Sequence, residues 1–63
     1  MSKQIPQVGD IWQERISDQY YKYLLLEEIE GEPNTFLAYD LEYGFWYRKL
    51  YINLRNIDWK KLA

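Results

Sequence analysis

From residue 35 to residue 51 the chain reads TFLAYDLEYGFWYRKLY, and this stretch limits the fold more than any other. It holds seven of the twelve aromatic residues. Before Glu42-Tyr43-Gly44, Thr35, Leu37, Tyr39 and Leu41 alternate with Phe36, Ala38 and Asp40. After it, Phe45, Tyr47, Lys49 and Tyr51 alternate with Trp46, Arg48, Leu50 and Ile52. A period of two is the signature of a strand. Glycine at 44 supplies the positive φ that short hairpin loops need. The stretch predicts a β-hairpin.

The rest of the composition tells how such a hairpin can be held. The chain has 63 residues, enough for one domain only. A chain of this size buries only about 60% of the surface it exposes when unfolded. It has no cysteine and no histidine, so neither disulfides nor thiolate or imidazole metal sites support the core. Stability must come from large rings: three Trp, seven Tyr and two Phe. Lack of cysteine fits a reducing compartment. There is no run of about 20 apolar residues, and MSKQIPQVGD lacks the apolar core of a signal peptide. The expectation is a soluble, cytoplasmic protein without a membrane segment.

Residues 1–7 read as a polar lead-in and residues 8–63 as the domain. Val8-Gly9-Asp10-Ile11-Trp12 reads as a short first strand, with Val8 and Trp12 on one face. Residues 16–19 read as a loop. Residues 20–29, YYKYLLLEEI, form the longest strand candidate. Both of its faces are apolar at the centre, which suits a bent strand or a bulge. Glu30-Gly31-Glu32-Pro33-Asn34 is a loop. The end of the chain has two readings. One is a 3₁₀ turn at residues 53–56 before a final strand at 57–62. The other is an amphipathic helix using Tyr47, Leu50, Tyr51, Leu54 and Ile57, which would make the fold a β-meander plus a C-terminal helix.

Five short strands in so few residues must hide their edges, and bending them into a small barrel does so. Val8-Gly9-Asp10-Ile11-Trp12 resembles the first strand of SH3-like barrels, where V-G-D-x-V/W is frequent. Asp40-Leu41-Glu42-Tyr43-Gly44 resembles the D/N-L-E-T-G turn between two middle strands of that class, with Tyr43 replacing the usual Thr. Asn53-Leu54-Arg55 sits where these barrels place a 3₁₀ turn. The resemblance implies an all-β, five-stranded, strongly bent SH3-like barrel of the Tudor/KOW-like class. That class includes translation and transcription modules, readers, and small accessory proteins of bacteria and phages.

Nothing in the sequence assembles a catalytic set. Without His or Cys the usual nucleophile–base pairs are missing. The carboxylates Glu27, Glu28, Glu30 and Glu32 read as a solvated acidic loop rather than a metal or acid–base site. We therefore expect no enzyme activity and no cofactor. The charge is uneven: residues 1–42 hold three basic and nine acidic side chains, and residues 43–63 hold five basic and one acidic. Aromatics crowd the basic half, and alternation forces some rings outward. Tyr43, Trp46, Tyr47, Arg48, Lys49, Tyr51 and Arg55 form the candidate binding strip. Trp, Tyr and Arg dominate protein-binding hot spots, which favours a protein partner, such as a host or partner complex gripped by a phage or bacterial accessory protein. The alternative ligand is single-stranded nucleic acid, with bases stacked on the rings; an acidic chain of pI near 4.9 disfavours it. Monomer and weak dimer both remain open.

Overall fold

The computed structural model describes residues 5–42 and 47–63. Five strands follow one another: β1 (Ile11–Ile16), β2 (Gln19–Glu28), β3 (Thr35–Asp40), β4 (Tyr47–Tyr51) and β5 (Trp59–Lys61). They form one antiparallel sheet in the order β4-β3-β2-β1-β5, with no helix among the described residues. The first four strands form a meander. The fifth returns to pair with β1, as expected of a small barrel-like all-β fold.

The sheet is curved, as its core shows. Trp12 of β1, Tyr23 and Leu25 of β2, Phe36 and Ala38 of β3, and Leu50 of β4 are buried in one cluster with Ile52. Strands lie about 4.8 Å apart, so β1 and β4 would stand roughly 14 Å apart in a flat sheet. Their side chains share a core only because the sheet bends around it. A bulge in β2 assists: Leu25 faces Ala38 but Glu27 faces Leu37, leaving Leu26 extra. The apolar centre of both faces of β2 in sequence has this cause, and Leu26 is left exposed.

The hairpin predicted around residue 44 forms, with Thr35 opposite Tyr51 and Tyr39 opposite Tyr47. Tyr43, Gly44, Phe45 and Trp46 lie outside the described residues. Two expectations need correction. Residues 8–10 are not strand. Asp10 donates its N–H to Gln7 O at 3.0 Å, closing a turn with Gly9 at φ +94°. A type II turn requires positive φ at its third residue, which glycine adopts readily. Val8 is consequently exposed instead of sharing a buried face with Trp12.

The second correction is at the C-terminal end. The helical alternative does not form; the turn-then-strand reading does, although the turn at residues 53–56 is not a 3₁₀ helix and the final strand, Trp59–Lys61, is shorter than residues 57–62. Asn56 N–H bonds Asn53 O at 3.0 Å and Trp59 N–H bonds Asn56 O at 3.2 Å, giving two successive turns. Asn53 Oδ1 accepts from Arg55 N–H, and Asn56 Oδ1 accepts from Asp58 N–H. These asparagine bonds compete with a helix. Ile57, at helical spacing in the sequence, is 91% exposed.

Candidate functional site

Strand alternation sorts the candidate strip between two faces. Residues directly opposite each other in an antiparallel pair share a face. Tyr47 faces Tyr39, Lys49 faces Leu37 and Tyr51 faces Thr35, all on the outer face. Arg48 faces buried Ala38, on the face that turns inward. Arg55 lies in the turns after β4 and lines a depression with Asn34, Tyr51, Asn53 and Leu54. The structure thus brings Tyr47, Lys49 and Tyr51 together, puts Arg55 beside Tyr51, and separates Arg48 from them. Tyr43 and Trp46 lie outside the described residues.

The outer face carries members the sequence did not reveal. Tyr47 faces Tyr39, Tyr39 faces Leu24 and Leu24 faces Ile11, so one row crosses four strands. The Tyr39 and Tyr47 rings stack at 5.2 Å between centroids, tilted by 50°. Tyr39, Leu24 and Ile11 are half-buried, whereas Tyr47 is 64% and Tyr51 60% exposed. Lys49 Nζ sits 2.7 Å from Glu32 Oε1, tying the middle of β4 to the loop before β3. The result is a ring-bearing apolar surface with one lysine partly neutralised in its midst.

The inner face ends in a different cluster. Tyr21, Glu14 and Trp59 form a row across β2, β1 and β5. The Trp59 ring lies 6.1 Å from that of Tyr23. Burial and the nearby Asp58 carboxylate push the Glu14 carboxyl above its ordinary range, while Arg48 pulls the other way. Burial also raises the Tyr23 phenol, again opposed by Arg48. Arg48 therefore acts electrostatically within this inner cluster, not on the outer strip.

Asp10 anchors the chain's first turn. Its Oδ2 accepts from Gln7 N–H at 2.9 Å and from Trp12 Nε1–H at 3.2 Å, and its Oδ1 lies 3.7 Å from Lys61 Nζ. Among the described residues, no group of three or more acidic side chains is placed to hold a metal ion. No helix there is long and apolar enough to cross a membrane. The chain matches no protein-family model, and neither a curated protein nor a solved structure matches it.

Proposed function

We propose that this protein is a non-enzymatic interaction module of the small SH3-like barrel kind, binding another protein through the outer face of β3 and β4. Tyr47 and Tyr51 would be the anchors, with Leu24, Leu37 and Tyr39 as the apolar floor and Lys49 and Arg55 as polar contacts. The observation that carries this reading is the exposure of the two tyrosines, 64% and 60%, in a chain whose stability depends on burying rings. Rings gathered on one exposed face suit protein contact. A cytoplasmic accessory protein, phage-encoded or bacterial, fits the lack of cysteine.

Single-stranded nucleic acid is less well served. Arg48 stands on the other face, so the strip offers only Lys49 and Arg55 to follow a phosphate backbone. The test is a pull-down from cytosol with the unaltered protein, a Tyr47→Ser/Tyr51→Ser variant, and a Tyr20→Ser control. A specific protein should be retained by the first and third and lost by the second. Equal retention by all three would refute the site. Salt-sensitive binding of oligonucleotides in fluorescence anisotropy would favour nucleic acid instead.

A further inference from the structure

Building on that reading, we infer that the outer edge of β4 takes up an extended strand of the partner, carrying an acidic side chain opposite Lys49. Edge position and bonding parity support this. β4 is the last strand on its side of the sheet, so among the described residues nothing pairs with its outer edge. Ile52 gives its N–H to Asn34 O at 2.8 Å. Antiparallel bonding alternates by residue. Leu50 and Arg48 therefore turn their backbone groups towards Phe36 and Ala38 in the ladder. The N–H and C=O groups of Tyr47, Lys49 and Tyr51 point the other way, into solvent. The three residues whose backbone groups have no strand partner among the described residues are the same three whose side chains form the outer strip. A strand laid along this edge satisfies both at once, with main-chain bonds giving affinity and side chains giving selectivity.

Charge identifies the occupant. A second copy of the chain could pair with β4 about a two-fold axis through Lys49, the register that uses all three outward residues. Tyr47 would then face Tyr51 of the second copy, a favourable ring pair, but Lys49 would face Lys49. Like charges directly opposite each other are destabilising, and a lysine on an edge is a common guard against self-pairing. A partner strand with Glu or Asp at that point keeps the ring contacts and turns the repulsion into attraction. The Lys49–Glu32 pair does not prevent this. Its side chains are 59% and 46% exposed, and an exposed pair is easily exchanged.

The chain itself supplies the acidic probe. The unaltered protein and a Lys49→Glu variant are studied separately and as an equimolar mixture, by sedimentation and by NMR amide exchange. The mixture should associate at least tenfold more tightly than either protein alone. The amides of Tyr47, Lys49 and Tyr51 should exchange at least tenfold more slowly in it, and high salt should weaken the effect. A mixture no tighter than its components, or protection elsewhere, overturns the inference. Should Lys49→Glu fail to fold, Lys49→Gln carries the test: lacking the repulsion, it should self-associate more tightly than the unaltered protein, and a Lys49→Gln monomer at the same concentration overturns the inference. The two readings fail separately. A partner lost with Tyr47→Ser/Tyr51→Ser, alongside a mixture that stays monomeric, leaves the binding face and removes strand addition. An associating mixture without such a partner does the reverse.

Discussion

The two ends of the sheet handle the same problem differently. β5 is three residues long and β4 is five. β5 is preceded by Asp58, whose Oδ1 accepts from Arg15 Nε at 3.1 Å and Nη2 at 2.9 Å, and ends on Lys61 near Asp10. Short length and charge protect that end. β4 has the longer edge, two exposed tyrosines and a single lysine at its middle. Charges close one end of this sheet; at the other they only select what can approach.

Four substitutions would break or sharpen this contrast. Leu50→Ala removes the side chain that pins β4 to the core and should cost about 3 kcal/mol. That is most of the roughly 3–5 kcal/mol a core this small supplies, and the denaturant midpoint should fall steeply. Asp10→Ala removes two hydrogen bonds at the β5 side and leaves the buried Trp12 indole without its acceptor, costing about 1–3 kcal/mol. Thermal melting would register this, with Trp12 fluorescence shifted by altered surroundings. Arg15→Ala opens the forked bond to Asp58 and should cost only about 0.5 kcal/mol, since both side chains are substantially exposed. The loss should shrink in high salt.

The smallest effect lies on the inner face. Burial raises Glu14's pKa in the fold, so the charged form costs stability at neutral pH. That cost disappears as pH falls, because the folded chain takes up the proton before the unfolded chain does. Glu14→Gln should therefore slightly raise the melting temperature at pH 7. The difference should fade below about pH 4, where the carboxyl is protonated in both states. An advantage that grows on acidification would contradict the assignment.

Much of this architecture was legible in the sequence, for identifiable reasons. Alternation through residues 35–40 and 47–51 gave the hairpin's faces, and apolar residues on both sides of β2 pointed to the bulge at Leu26. The first turn was misread because Val8 and Trp12 match a strand's spacing, while the deciding quantity is the φ of Gly9. The final segment left two readings because leucine and isoleucine fall at helical intervals; the turn and final strand form, and the two asparagines that bond to the backbone decide against the helix. At the site, alternation puts Tyr47, Lys49 and Tyr51 on one face. Grouping Arg48 with them disregarded the same alternation, which sends it inward. Leu24 and Ile11 could not be found that way, since inter-strand register is a tertiary property.

The return of the last strand to the first has a consequence for how the protein is made. Ile11 N–H bonds Ala63 O and Leu62 N–H bonds Ile11 O, while Arg15 reaches Asp58 across 43 positions of sequence. On a ribosome the meander can assemble as it emerges, but β1 keeps one bare flank until β5 has followed. Closure of that long loop is then the slow, entropically costly event. A chain cut short before Trp59 would leave a sticky ribbon where the finished protein has a seam.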